Sequence, residues 1–323
     1  MFLFILRRIL QSILMIFIMS FFCYFLMNLM PGDPIDQMLS SNPKMTSEDA
    51  ERLRKLYGVD QPLTVRYSHW IQDVLHGDLG HSRTYRIPVT EILGPRLLNS
   101  MILALSSLMF SLLIAIPIGV FTALKQGSKW DHFVNLFAFA GISMPSFWLG
   151  ILLILIFSVG LKVLPAGGTS SIDATDLNGW SMILDRCKYL ILPTLSLSVM
   201  QIGRFSRFVR SSMIDSMNHD YIRTAKAKGL DDFQILWRHG FRNALIPVIT
   251  VVALSMGGIF SGALITETLF SYQGAGKLVY ESILGNDYNV AMISLLVSVT
   301  MVLLMSLIAD LLYAWVDPRI SLK

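Results

Sequence analysis

Six apolar stretches alternate with polar segments along the 323 residues. A bilayer core of ~30 Å is crossed by ~20 residues of helix. The pattern predicts spans at Ile9–Met30, Asn99–Leu124, Phe133–Leu161, Tyr189–Ile202, Ala244–Thr266 and Val290–Val316. The fourth is the weakest: Pro193 interrupts it and Arg204 and Arg207 close it, with helical patterning continuing to about Arg210. The first has Arg7 and Arg8 ahead of an apolar run too long for a signal-peptide core. No small-residue cleavage site follows, so a retained helix is expected.

Between the spans the chain changes character. Residues 1–30 form the N-terminal end and first span. Residues 31–98 form an expected extracytoplasmic segment, and residues 99–323 a five-helix core. Within 31–98, Thr46-Ser47-Glu48-Asp49 reads as the start of an amphipathic helix reaching Tyr57 and stopping at Gly58. Trp70, Ile71, Val74 and Leu75 predict a second helix, ended by Gly77. Such a segment suits either a cap on the outer membrane face or a docking surface for an external partner. Residues 125–132 read as a tight turn, 162–188 and 267–289 as outer loops, and 203–243 as a large loop with eight basic and four acidic residues.

Composition agrees with the pattern. The chain is 54% hydrophobic with mean hydropathy +0.59, too apolar for a water-soluble domain. Of 26 Lys and Arg, 14 fall on one side of the predicted spans and 4 in the short loops of the other. The positive-inside rule then puts both termini in the cytoplasm. The net charge of +4 follows from this bias and does not argue for nucleic acid. Cys23 and Cys187 are too far apart in the pattern for a disulfide, and no Cys or His cluster has metal-ligand spacing.

Catalytic motifs are missing. Gly274-Ala275-Gly276-Lys277 only superficially resembles a phosphate-binding loop: the spacing and the following Ser or Thr are absent. Six histidines divided between the two sides argue against a membrane enzyme, and two isolated intramembrane acids without a repeat argue against a stand-alone secondary transporter. Pro117, Pro145, Pro193 and Pro247 are either tolerated prolines or hinges along a substrate path. Buried charge in lipid is costly. Glu267, at the outer end of the fifth span, therefore either lines a gate or bonds to loop 267–289. Asp310, in the last span, is expected to find a partner, with a place on the path as the alternative.

The most informative stretch is Asp220-Tyr221-Ile222-Arg223-Thr224-Ala225-Lys226-Ala227-Lys228-Gly229, a short basic helix with Asp220 as its cap and Gly229 as its stop. It is too short to be stable alone in water, so it needs something to dock against. These residues, with Leu230, resemble the coupling-loop motif of bacterial ABC importer permeases, in the oligopeptide/dipeptide/nickel branch, B-type subunit. The general motif begins Glu-Ala-Ala, where this chain has Arg223, Thr224 and Ala225, and Leu245-Ile246-Pro247 lies further downstream. Both departures are typical of the peptide branch. Pro31-Gly32-Asp33-Pro34, Gly77-Asp78-Leu79-Gly80, Leu164-Pro165-Ala166-Gly167-Gly168, Glu267-Thr268-Leu269-Phe270 and the stretches 310–313 and 317–319 are also similar to it. Gln273 departs from the branch, which has proline there.

The resemblance implies an all-α polytopic membrane protein with six transmembrane helices in a MetI-like permease fold, lying in the bacterial plasma membrane. The implied partners are a second homologous permease, two ATPase subunits, an extracytoplasmic binding protein, a peptide substrate and membrane lipid. No cofactor is expected in this chain, because ATP and magnesium belong to the ATPases. Helix 221–229 would seat in an ATPase groove, with Arg223, Lys226 and Lys228 meeting acceptors and Ala225 and Ala227 permitting close approach. Nickel, metallophore or glutathione would use the same scaffold.

Overall fold

The computed structural model describes residues 2–29, 46, 49, 51–52, 60–173 and 178–316, without the side chains of 2–4, 256–263 and 312–316. Among the described residues the chain is helical, and its one β feature is an isolated bridge between His81 and Pro88. The motif at 31–34, all but Asp49, Glu51 and Arg52 of the expected helix from Ser47 to Gly58, and residues 317–319 lie outside the described residues. The start of that helix is described: Thr46 and Asp49 bond reciprocally through side chain and backbone, as a capping box does.

The helices are α1 (Phe2–Leu29), α2 (Leu63–Leu75), α3 (Val89–Leu124), α4 (Lys129–Ser143), α5 (Ser146–Leu153), α6 (Trp180–Met217), α7 (Asp220–Ala227), α8 (Asp232–Gln234), α9 (Arg242–Leu269), α10 (Ala275–Leu284) and α11 (Tyr288–Val316). A π-helical stretch, Ile154–Gly160, extends α5, and a second, Ile235–Phe241, joins α8 to α9. By length and composition three helices can cross a membrane, at Ile5–Leu29, Val89–Leu124 and Tyr288–Leu311. The pair Lys129–Ser143 and Ser146–Gly160, bent by 100°, makes a fourth if it is one span. Helices α6 and α9 stand where the fourth and fifth spans are expected.

Several boundaries differ from the sequence reading. Helix α3 begins at Val89, ten residues before the expected span, so the end of segment 31–98 is part of it. Pro88 just ahead has the extended backbone of a helix entry (φ −56°, ψ 140°). Helix α6 runs unbroken through Pro193 to Met217, past the expected end near Arg210. Leu192, Pro193 and Thr194 are buried there, so packing holds the helix across the proline.

Helices α3 and α6 form the central pair, and small residues let them approach. A methyl group added at Gly119 would lie 2.5 Å from Val209 Cβ. Ser198 Oγ donates to the Ser107 carbonyl at 3.1 Å, tying the two backbones together. Helix α4 crosses α6 as closely: a methyl group at Gly203 would lie 2.5 Å from the Ala138 carbonyl oxygen. Outside this core, α2 lies against α1. Tyr67 is buried beside Cys23 and Tyr24, and its hydroxyl bonds to Ser20 at 2.7 Å. Trp70 and Val74 of α2 pack on the cluster of Val89, Leu93, Leu278 and Ile293. Helix α2 is thus packed against α1, α3, α10 and α11.

Candidate functional site: the α7 lever

Helix α7 hangs between the end of α6 and the start of α9. His219, in extended conformation, is its N-cap, so Asp220 is the first helical residue and not the expected cap. No side chain caps this end; the backbone closes it, with Ile222 N–H donating to the His219 carbonyl. The carboxylate of Asp220 still sits in the first turn and Lys226 in the last, both favourable to the helix dipole. The Asp220–Arg223 pair at 3.6 Å is too exposed to contribute much.

The far end follows the expected pattern. Gly229 has φ +76°, the left-handed conformation. Its N–H donates to the Lys226 carbonyl at 3.0 Å, and Leu230 N–H reaches the Ala225 carbonyl at 3.4 Å. This pair of bonds is the Schellman motif, and Leu230 supplies its apolar contact against the cluster of Ile222, Ala225 and Ile235.

That cluster corrects one expectation. Ala225 is 4% exposed and Ile222 2%. They face Ile235 of the same chain, so Ala225 cannot also approach a partner. The outward face comprises Asp220, Arg223, Thr224, Lys226, Ala227, Lys228 and Gly229. Three cations and a small alanine are exposed on that face, while Tyr221 lies at its edge.

Tyr221 performs a different task. Its hydroxyl bonds to Ser216 Oγ at 2.7 Å, and Ser216 Oγ donates to the Gly240 carbonyl at 2.8 Å. Gly240 lies in the second π-helical stretch, where a methyl group would lie 2.6 Å from Met217 Sδ. Three elements therefore meet at one point: the end of α6, the lever α7 and the π stretch leading into α9. A π-helical stretch is rare and tends to occur at functional positions. Above it, Val120, Val209, Met213, Ala244 and Val248 join α3, α6 and α9 in one apolar cluster. Helix α7 is thereby tied through the end of α6 and the π stretch to the cluster that joins all three helices.

The π stretch, the Ser216 link and the Asp131–Arg210 pair were not foreseen. Asp131 is 2% exposed and accepts two bonds from Arg210, from Nε and Nη2, both at 2.7 Å. Asp131 also accepts from Gly127 N–H at 3.0 Å, which fixes the turn before α4. The spacing of 79 residues leaves no local signal for such a pair. Tyr221, Ile222 and Ala225, by contrast, already have the spacing of one helix face.

The other three candidates lie apart from α7 and from one another. Glu267 is wholly buried within this chain. Its carboxylate accepts from Ser100 Oγ at 2.5 Å and from Lys277 N–H at 3.0 Å, with the Gly276 amide beside it. Ala275 N–H donates in turn to Ser100 Oγ. Glu267 thus occupies the N-terminus of α10, where amides favour an anion. Gly274 is required because a methyl group there would collide with that carboxylate. The glycine-rich Gly274–Lys277 stretch cradles an anion after all, one supplied by its own chain. Beside it, burial and the Glu267 carboxyl push the Tyr272 phenol up to about 12.

Asp310 pairs with Arg8 through two contacts, at 3.0 and 3.1 Å, tying α11 to α1. The expected partner of Asp310 is therefore Arg8. Pro145 is the N-cap of α5 and marks the 100° break after α4. Met144 before it is extended (φ −87°, ψ 120°), as the residue preceding a proline prefers. Of the four prolines in expected spans, Pro117, Pro193 and Pro247 sit inside continuous helices, and Pro145 alone accompanies a break.

Long apolar helices able to cross a membrane, with a short basic helix set between α6 and α9, are what the fold presents. The chain belongs to the family described as binding-protein-dependent transport system inner membrane component, whose profile matches residues 115–322. The N-terminal profile of such membrane components matches residues 1–90. Over 319 residues the chain is 38% identical to the oligopeptide transport system permease protein AppB of Bacillus subtilis, covering 98% of this chain and 99% of that one. It is 37% identical over 312 residues to the dipeptide transport system permease protein DppB of Escherichia coli, covering 92% of each. The di/tripeptide transport system permease protein DppB of Pseudomonas aeruginosa is 36% identical, with 98% of each covered. The inward-facing MetNI methionine ABC transporter superposes with a TM-score of 0.53 at 16% identity, covering 71% of this chain and 97% of that chain. That likeness concerns the fold alone.

Proposed function

We propose that this chain is one membrane subunit of an ATP-driven importer of peptides. The observation that carries the substrate class is similarity along nearly the whole chain to permeases named for oligopeptides, dipeptides and di/tripeptides. The chain forms half of the path, beside a second homologous permease, with six spans and both termini in the cytoplasm. Two ATPase subunits bind ATP and magnesium, and an extracytoplasmic binding protein delivers the peptide. The chain itself catalyses nothing and carries no cofactor.

The lever geometry supports the coupling role. An ATPase groove takes the outward face of α7, where Arg223, Lys226 and Lys228 meet acidic or backbone acceptors. The Ile222–Ala225–Ile235 cluster and the Tyr221–Ser216–Gly240 relay make α7 stiff against its own chain. Motion of the ATPases is thereby transmitted into α6 and α9, and Pro145 allows the broken α4–α5 unit to adjust.

Cysteine cross-linking of the assembled importer tests this. With Cys23 and Cys187 replaced, Ala227→Cys and Lys226→Cys are expected to link to an ATPase subunit. Ala225→Cys is expected not to. Equal linking from all three positions, or from none, would remove the docking role of this face.

A further inference from the structure

Helix α6 is covered on three sides in its inner half. Helix α4 lies along Gly203 and Arg210, α3 along Ser206 and Val209, and Phe205 packs towards Val251 and Val252 of α9. One arc stays open, and it is polar. It carries Gln201, Arg204, Arg207 and Ser211, spaced three or four residues apart and so on one face. A groove of about 380 Å³ lies there, walled by Ile142 and Phe208 beside the two arginines and Ser211.

The arginines are uncompensated. Neither forms an ion pair with a described residue, in contrast to Arg210 one turn further on. The Arg207 guanidinium lies 4.0 Å above the ring of Phe139. That contact orients it and leaves its N–H donors free around the rim. Gln201 Oε1 is shielded and accepts no hydrogen bond from the described residues. At 1.5 Å per residue, Arg207 and Arg204 lie ~4.5 and ~9 Å deeper along α6 than Arg210. Unpaired charge on a helix of a membrane core marks a water-filled path or a ligand more readily than lipid.

The opposite flank of α4 has the lipid-facing composition. Trp130, Phe133 and Phe137 are exposed and lie along one stripe, in edge-to-face and tilted contact. Phe139 is about 160° around the helix from Phe137 at ~100° per residue. The two flanks therefore meet different surroundings, aromatic belt on one side and guanidinium groups on the other.

We propose that this groove is a carboxylate-binding site in the inner half of the path, taking the C-terminal carboxylate of the transported peptide. The proposal rests on the peptide-import reading. Two guanidinium forks at i, i+3 suit a carboxylate. The hydroxyl of Ser211 adds a donor at the same groove. Ile142 and Phe208 give the apolar walls that a peptide of any side-chain composition tolerates.

The test is uptake of a labelled tripeptide and of its C-terminal amide, in cells carrying the wild-type chain, Arg204→Gln/Arg207→Gln or Arg204→Lys/Arg207→Lys. Membrane levels of the chain are measured alongside. A binding protein's own preference is common to all strains and cancels in the comparison. The wild type is expected to favour the free acid. The Gln pair should lose about tenfold of acid uptake, the scale of one charge-assisted bond, while amide uptake holds. The Lys pair keeps charge without the fork and should fall between; it also serves if the Gln pair accumulates poorly. Equal loss of both substrates, as an interface with the second permease or with anionic lipid would give, overturns the proposal. So does an unchanged acid-to-amide ratio. If the wild-type chain adds no peptide uptake over a gene deletion, the peptide reading itself fails, which is a separate result.

Discussion

Gly229 allows backbone conformation to be separated from side-chain volume. A methyl group added there meets nothing within 4 Å, so no clash limits what can be placed. The constraint is φ +76°, which costs an ordinary L-residue ~1–2 kcal/mol, less for asparagine. That is a factor of roughly 5–30 in the population of the closed cap. With the cap open, the bonds to Lys226 and Ala225 are lost and Leu230 leaves its cluster. The lever end then frays where it must transmit force. Initial uptake rates, normalised to membrane level, are expected to fall in the order Gly, Gly229→Asn, Gly229→Ala, Gly229→Val. Asparagine is larger than alanine, so this order opposes any steric explanation. Valine, branched at Cβ, should reduce transport most while inserting normally. A rank that follows volume, or normal uptake with Gly229→Val, would refute the reasoning.

Four other outcomes follow from the packing. Glu267→Ala strands the Ser100 hydroxyl and the α10 amides, about 1–3 kcal/mol for each buried group, so thermal unfolding in detergent should come well below that of Glu267→Gln. Gly203→Val forces α4 off α6 and should lower the amount of chain in the membrane, whereas Gly94→Ala, with open space at its Cβ, should leave it unchanged. Asp131→Asn leaves Arg210 partly buried without its carboxylate, a loss of up to about 3 kcal/mol that residual exposure of Arg210 reduces; the Asp131→Asn/Arg210→Gln pair should recover part of it in the same melt. Arg8→Ala breaks a pair whose arginine is 43% exposed, so its effect should stay below about 1 kcal/mol, and a larger shift would mean the pair is better shielded than the geometry indicates.

How much was legible depends on the range of the interaction. Apolar runs and Gly229 act locally: helix lies over each run, in one case as a bent pair at Lys129–Ser143 and Ser146–Gly160, and the left-handed turn falls at Gly229. Helix ends were less legible: α3 starts at Val89 because the chain beyond the apolar run is packed against α10 and α11. The lever itself could be read, but not which of its faces was already occupied. Ile235 lies ten residues beyond Ala225, and only the fold brings it back to bury that alanine. Nothing near Glu267 in the sequence points to its partner Ser100, 167 residues away. The Asp131–Arg210 pair is of the same long-range kind. The break at Pro145 and the continuity at Pro193 separate for a similar reason, since burial of Leu192 and Thr194 holds α6 together.

The central claim is that this chain carries peptides inward under ATP power through a path it shares with a second permease. Its most direct test is uptake of labelled tri- to pentapeptides and of nickel, in cells with the gene, without it, and complemented by the wild-type chain. Peptide uptake should disappear with the gene and return with complementation, with nickel uptake unaltered. Loss of nickel uptake with peptide uptake intact would contradict the substrate while leaving the lever in place.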